Sequence, residues 1–133
     1  MGSRYHAKNA PGQSTWVFEE KSTSMNATSM ILVRILVGKI NDLDALVTRL
    51  RQVPIDNNDP EWNCVIWVQQ ALASIAQASS LMGTARLDWQ TVKSTALQYS
   101  EQKATQGRFN GRGNFDTSKV PTFDLLQNKE TTK

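Results

Sequence analysis

The 133 residues of the chain are enough for one domain that buries about two-thirds of its unfolded surface. The net charge is +3, and the basic residues are scattered among acidic ones. This disfavours nucleic acid as a partner, because nucleic-acid binders collect positive charge on one face. The single cysteine excludes an intramolecular disulfide, and no apolar run reaches membrane-spanning length. No stretch has the zones of a signal peptide, so we expect a cytoplasmic protein without a membrane span.

Three stretches in the first forty residues have the composition of β-strands. Residues 4–9 end at turn-forming residues, and residues 15–19 are rich in β-branched and aromatic side chains. Residues 30–40 are almost continuously apolar, which predicts a central strand covered on both faces, with Arg34 as the exception. The pattern therefore predicts a small antiparallel sheet of about three strands.

Three helices are predicted after the strands. Asn41 or Asp42 can cap the first of them. Asp59–Glu61 has the pattern of a helix start, with a capping side chain, a proline and an early acid, and the apolar stripe over Cys64–Ile75 predicts a core helix. The third helix is expected from Asp88 to about Gln106.

These elements predict a single α+β domain over residues 1–107, in which the sheet packs on the three helices. Residues 108–133 have little periodicity and are expected to be extended or disordered. Residues 107–115 resemble the arginine–glycine stretches that bind RNA by stacking. Because only two arginines are present, a flexible linker is the favoured interpretation of that segment, and nucleic acid is the least favoured partner.

The only cysteine, Cys64, stands near the start of the second predicted helix, and the only histidine, His6, lies on the first predicted strand. The unpaired amides and the dipole of a helix N-terminus stabilise a thiolate. An imidazole within hydrogen-bond reach would complete a nucleophile that attacks acyl carbons. The alternative is a small buried cysteine in an apolar stripe, which is the commoner role of a free cysteine. The pattern predicts no metal site and no cofactor.

Three further residues are candidates for substrate binding: Arg34, Trp67 and Trp16. Arg34 could hold a substrate carboxylate, or it could pair with Glu19 or Glu20 on a neighbouring strand, and the ion pair is the favoured interpretation. Trp67 lies at a helical position in the apolar stripe, where a core role is the simplest explanation.

Four stretches carry a resemblance to known proteins: Gly2–Asn9, Trp16–Glu19, Leu32–Lys39 and Trp62–Val68. Together they resemble an uncharacterised family of small fungal proteins, and Trp62–Val68 is the most specific of them. That family is in turn distantly similar to the circularly permuted papain-like proteins, such as lecithin:retinol acyltransferase. In those enzymes an Asn-Cys pair opens a helix, the cysteine is the nucleophile, and a preceding strand carries a histidine.

The resemblance implies that Cys64 matches the nucleophile, that Asn63 is its neighbour, and that His6 matches the second histidine. The primary histidine of those enzymes belongs to an earlier strand, and this chain has no such segment. Either His6 takes over the role of the base or the base is missing. The missing strand would also leave a sheet edge with unpaired amides, where a second copy or another protein could pair.

Two functions therefore compete. A non-catalytic binding or assembly module of papain-like fold, acting as a homodimer or with a protein partner, is slightly favoured because a site without its first histidine is incomplete. The alternative is a cysteine-dependent acyl transferase or hydrolase acting on an acyl or other small-molecule substrate, with Cys64 as nucleophile and His6 as base. RNA binding through residues 107–115 is the third.

Overall fold

The computed structural model describes residues 2–9, 12, 14–24, 31–110, 115–116 and 118–133. Within these ranges the chain is α+β with three helices and small, mostly antiparallel sheets, so the predicted fold class is confirmed. The chain divides into two compact units, the first made of residues 1–25 and 40–82 and the second of residues 26–39 and 83–133. The boundary predicted at residue 107 falls inside the second unit.

The elements are, in chain order, β1 (Gly2–Asn9), β2 (Trp16–Thr23), β3 (Arg34–Leu36), β4 (Gly38–Ile40), α1 (Leu43–Arg51), α2 (Cys64–Ala76), β5 (Met82–Ala85), α3 (Trp89–Thr105), β6 (Thr122–Asp124) and β7 (Lys129–Thr132). In the first unit, β1 and β2 form an antiparallel ribbon that is accompanied by α1 and α2. In the second unit, β3 pairs in parallel with β6, which pairs antiparallel with β7.

The second helix begins later than the Asp59–Glu61 pattern predicts. The carboxylate of Asp59 accepts the amide of Glu61 at 2.9 Å and forms a turn instead of a helix cap. Asn63 is the cap, because its side-chain oxygen accepts the amides of Val65 and Ile66 at 2.9 and 3.2 Å. Cys64 is therefore the first residue of α2.

The β1–β2 ribbon buries one of its two faces against α2. Phe18 meets Trp67 edge-on, with ring centroids 5.9 Å apart, and Ala7, directly opposite Phe18, is only 3% exposed. Side chains alternate between the two faces along a strand. His6 and Glu19, which also lie opposite each other, therefore point to the other face of the ribbon.

Residues 30–40 do not form the single central strand that their apolar character predicts. In the described part of this stretch the strand is interrupted at Val37, whose carbonyl accepts the amide of Arg86 at 2.7 Å. β3 on one side of the break pairs with β6, and β4 on the other side pairs with β5. Leu36 and Ile40 are exposed, so these strands are not covered on both faces. The partners come from later parts of the chain, which local periodicity does not reveal.

The C-terminal segment also differs from the extended or disordered tail expected for residues 108–133. β6 and β7 form a hairpin whose turn is held by Asp124, because its carboxylate accepts the amides of Leu126 and Gln127 at 2.8 and 3.1 Å. Asn128 completes the turn with a positive φ of 54°. Residues 111–114 of the arginine–glycine segment lie outside the described residues.

Trp16 shows which backbone groups of β2 face away from β1. Its amide donates to Oδ1 of Asn57 at 2.7 Å, and its carbonyl accepts from Nδ2 of Asn57 at 3.0 Å. Because inward and outward groups alternate along an antiparallel strand, the backbone groups of Phe18, Glu20 and Ser22 also face outward. We refer to these three positions as the β2 edge. Among the described residues, no strand pairs with it.

Replacing Asn57 by alanine is expected to expose the Trp16 amide to solvent. Amide hydrogen exchange followed by NMR should be slow at Trp16 in the wild type and fast in N57A, while Val17, which is bonded to β1, stays slow in both. The loss of two hydrogen bonds should lower the free energy of unfolding by about 1–2 kcal/mol. N58A is the matched control and should change neither quantity. A Trp16 amide that remains slow in N57A would contradict the assignment of the outward groups.

Candidate functional site

A cluster of His6, Lys8 and Glu19 lies on the face of the β1–β2 ribbon that is turned away from α2. Nε2 of His6 lies 2.9 Å from Oε1 of Glu19, and the ammonium of Lys8 bonds to the other carboxylate oxygen. Both partners are in place because His6 stands opposite Glu19 in the register and Lys8 follows two residues later on the same face. The hydrogen bond from Lys8, followed by that from His6, lowers the pKa of Glu19 to about 2.

The structure does not pair His6 with Cys64. Cys64 is exposed at the start of α2. His6 is bonded to Glu19 on the face of the β1–β2 ribbon that is turned away from α2. The side-chain oxygen of Asn63 is occupied by the capping bonds of the helix. Cys64 is also not the buried small hydrophobe of the alternative interpretation, because the residue is exposed. The catalytic roles of Cys64, His6 and Asn63 stay predictions.

Two of the residues predicted for substrate binding pack in the first unit. Trp67 is 3% exposed beneath Phe18, and Trp16 is half-buried against Trp62, with ring centroids 5.9 Å apart and the rings edge to face. The indole nitrogens of Trp62 and Trp67 are buried without a hydrogen-bond partner. These contacts give both candidate residues a packing role, and their binding role stays a prediction.

The third candidate, Arg34, lies half-buried in β3 of the second unit, and its amide donates to the carbonyl of Pro121 at 2.9 Å. The carboxylates proposed as its partners have bonds within the first unit. Glu19 is bonded by His6 and Lys8, and Glu20 is bonded by Arg51.

Arg51 holds Glu20 through a two-point contact. Nε lies 2.5 Å from Oε1 and Nη2 lies 3.1 Å from Oε2. The contact lowers the pKa of Glu20, so its charge persists into acid. Glu20 shares the α2-facing side of β2 with Phe18, so the two neighbouring acids of the strand are neutralised on opposite faces by different cations.

The second unit contains a buried charge cluster built on α3 and β7. The Lys103 side chain is only 3% exposed, and its ammonium bonds to Glu130 and lies over the ring of Tyr99. The Tyr99 hydroxyl donates its one proton to Glu130 at 2.6 Å, and the carbonyl oxygen of Thr132 lies 3.2 Å from the same hydroxyl. Burial raises the pKa of Glu130, but the bonds from Lys103 and Tyr99 outweigh it and lower the pKa overall. The pKa of Tyr99 is raised by burial and by donation to Glu130, so this hydroxyl is a hydrogen-bond donor, not a base.

Arg108, which is also buried, contacts Phe115, Asp116 and Lys119. Its Nη2 donates to the carbonyls of Asp116 and Lys119 at 3.1 and 2.6 Å, and its guanidinium lies over the ring of Phe115. A shallow cavity of about 340 Å³ lies beside this segment, with Asp116 and Lys119 in its lining.

Over the described ranges, no three His, Cys, Asp or Glu side chains come close enough to hold a metal ion together. No helix in the described part of the chain is long and apolar enough to cross a membrane.

Sequence reasoning missed the partners that fix these side chains. Glu19 could have been found by asking which residue stands opposite His6 in a hairpin, but the register depends on the length of the turn. The four-residue spacing of Tyr99 and Lys103 on one helix was visible, whereas Glu130 and Asn57 come from distant parts of the chain.

The geometry defines the class as a small α+β protein with a two-stranded ribbon on a helix that begins at an exposed cysteine. A model of one protein family, described as a family of unknown function (DUF6914), matches residues 1–132, and the chain belongs to that family. The prediction of an uncharacterised family is therefore confirmed. No curated protein and no solved structure matches the chain significantly.

The bond from Lys8 to Glu19 makes a prediction for acid stability. The pKa of Glu19 is about 2 in the folded protein, against an ordinary value of 4.5. The stabilisation that this carboxylate provides is complete above pH 4.5 and is lost as the pH falls toward 2. K8M removes the larger cause of the shift, so the free energy of unfolding should fall less steeply between pH 5 and 2 than in the wild type. Urea unfolding at a series of pH values measures this.

K21M is the control for that experiment, since Lys21 lies on the same ribbon face and is exposed without bonding to Glu19. It should retain the acid dependence of the wild type. The interpretation fails if K8M keeps the wild-type slope, or if K21M loses as much of it as K8M does.

The buried lysine makes a second prediction. E130Q keeps an acceptor for Tyr99 but leaves the ammonium of Lys103 buried without its counter-charge, which should lower the free energy of unfolding by about 3 kcal/mol. The double variant K103M/E130Q removes that ammonium and should be more stable than E130Q alone. Chemical denaturation of the three proteins compares them, and a double variant no more stable than E130Q would show that charge pairing is not what Glu130 contributes.

Proposed function

We propose that the protein is a non-catalytic binding or assembly module, and that it takes up an extended protein segment along the β2 edge. The observation that carries the proposal is the set of outward backbone groups at Phe18, Glu20 and Ser22, which no other strand of the described chain pairs. An added strand would satisfy these groups and gain backbone hydrogen bonds. At Trp16 the side chain of Asn57 already takes the place of a strand, so pairing would begin after Trp16.

The exposure of the two strands supports β2 as the binding strand. Glu20, Lys21 and Ser22 are all exposed, whereas Ala7 in the middle of β1 is 3% exposed. Charged side chains on a free edge suppress indiscriminate pairing. The β2 edge therefore favours a partner strand with complementary charges over any extended chain.

The position of His6 supports a non-catalytic role. A general base has to reach the proton that it removes, directly or through one water. His6 is bonded to Glu19 on the ribbon face opposite α2, and Cys64 is at the start of α2. Deprotonation of Cys64 would need another base.

The alternative function is cysteine-dependent acyl transfer or hydrolysis on an acyl substrate. The exposure of Cys64 at the first turn of α2 favours it, since the free amides of that turn can stabilise a thiolate or an oxyanion. The thiolate would attack the acyl carbon and expel the leaving group, and water or an acceptor would then release the acyl group from the thioester.

We extend the proposal to the fungal origin and the distant relation to the permuted papain-like proteins that the sequence resemblance implies, and to a cytoplasmic setting. The relation is supported by the Asn63-Cys64 pair at the start of α2 and by the packing of α2 against the strand that carries His6.

The proposed function is tested with extended peptides selected from a displayed library against the immobilised protein. Selected peptides are expected to bind S22P at least tenfold more weakly than the wild type, because proline removes an outward amide of the β2 edge and leaves the bonds to β1 in place. S14P, which lies before β2, is the matched control and should bind normally. C64S and H6A should also bind like the wild type. Binding is measured by fluorescence anisotropy.

Two results would count against this function. Peptides that bind S22P and the wild type equally would rule out the β2 edge as the binding site. A stable acyl adduct on Cys64 after incubation with an aryl ester, seen by intact mass and absent in C64S, would overturn the non-catalytic proposal in favour of the alternative.

A further inference from the structure

We propose that the segment that occupies the β2 edge is β2 of a second copy of this chain, paired antiparallel about a two-fold axis at Glu20. This inference rests on the proposed function and names its partner. Strand pairing across such an axis would join the ribbons of two protomers into one four-stranded antiparallel sheet.

Backbone geometry fits this register. With the axis at Glu20, Phe18 stands opposite the partner's Ser22 and Ser22 stands opposite the partner's Phe18. All three positions of the β2 edge face outward, so every one of their amides and carbonyls finds a partner in this arrangement. Pairing stops at Trp16, where Asn57 occupies the backbone groups.

The charges on the ribbon face turned away from α2 favour this register over others. Within one protomer Lys21 lies directly opposite Arg4, and like charges in that position disfavour each other. With the axis at Glu20, Lys21 stands opposite the partner's Glu19. Each dimer gains this opposite-charge pair twice.

Neighbouring registers are less favourable. An axis at Lys21 would bring two ammonium groups opposite each other. An axis at Glu19 would bring together two Glu19 carboxylates, each held by its own Lys8 and His6, and would place Lys21 opposite the partner's Val17. Neither register gives Lys21 an acid as its partner. The axis at Glu20 brings the two Glu20 carboxylates together on the other face, but each is already held by its own Arg51 through two hydrogen bonds. The central contact is therefore between two ion pairs and not between two bare acids.

Association is measured by sedimentation equilibrium of the full chain from about 1 µM to 1 mM. The wild type is expected to dimerise within this range. S22P should weaken the dimer at least tenfold, because it removes an outward amide from each strand, whereas S14P should not.

A charge exchange tests the register. K21E places one acid opposite the partner's Glu19, and E19K places one lysine opposite the partner's Lys21. Each like-charge pair occurs twice in the dimer, so each variant alone should dimerise about tenfold more weakly than the wild type. An equimolar mixture restores both opposite-charge pairs and should recover dimerisation. Circular dichroism checks folding, because Glu19 also binds Lys8 and His6. If E19K does not fold, K21E in high salt replaces the mixture: screening should restore its dimer and leave S22P weak.

Amide exchange separates the failure of this inference from that of the proposed function. At low concentration Phe18, Glu20 and Ser22 should exchange fast, and Val17, Glu19 and Lys21 slowly; at high concentration the first three should become protected. Fast outward amides in a protein that stays monomeric at 1 mM, or a dimer insensitive to S22P and K21E, overturns pairing with a second copy and leaves the edge for another partner. Slow outward amides in a monomer overturn the open edge and the proposed function with it.

Discussion

The packing of Phe18 on Trp67 decides which side chains of the β1–β2 ribbon face α2. It turns one face of the β1–β2 ribbon toward α2, and strand alternation then sends His6, Lys8 and Glu19 to the other face. The imidazole of His6 therefore lies on the ribbon face turned away from α2, the helix that begins at Cys64. A slip of one residue in either strand would reverse this arrangement, but it would also expose Phe18 and Ala7, so burial of the apolar face fixes the faces on which the charges lie.

Side chains form polar contacts with the β1–β2 ribbon and bond some of the groups that have no partner in a two-stranded sheet. Asn57 replaces a third strand at Trp16, and the two adjacent acids of β2 are neutralised separately, Glu19 by Lys8 and His6 and Glu20 by Arg51. Beyond Asn57 the outward backbone groups of β2 have no such substitute in the described chain. That contrast within one strand is the reason for proposing a binding surface there.

Local sequence signals were reliable where a helix is set by its own caps and stripe. Asp42, one of the two residues expected to cap the first helix, caps α1, and Asp88, at the expected start of the third helix, caps α3. The start of α2 was misplaced because two capping residues compete, and Asp59 is engaged in a turn with Glu61 while Asn63 bonds two helix amides. The strand prediction for residues 30–40 failed because apolar character reports burial, while the division into β3 and β4 depends on strands that follow much later in the chain.

The sequence by itself determined the α+β class, the three helices, the first hairpin strand and the presence of a single thiol and a single imidazole, because these follow from composition, periodicity and capping within a few residues. Tertiary structure alone decided the pairing of β3 with the C-terminal hairpin and the contact of Lys103 with Glu130. It also decided the bonding of the Trp16 backbone by the Asn57 side chain and the face on which His6 lies. Each of these joins residues that are distant in the chain or depends on the register of two strands. Burial of apolar surface and neutralisation of buried charge favour these contacts over others, and both effects act only once the chain is folded.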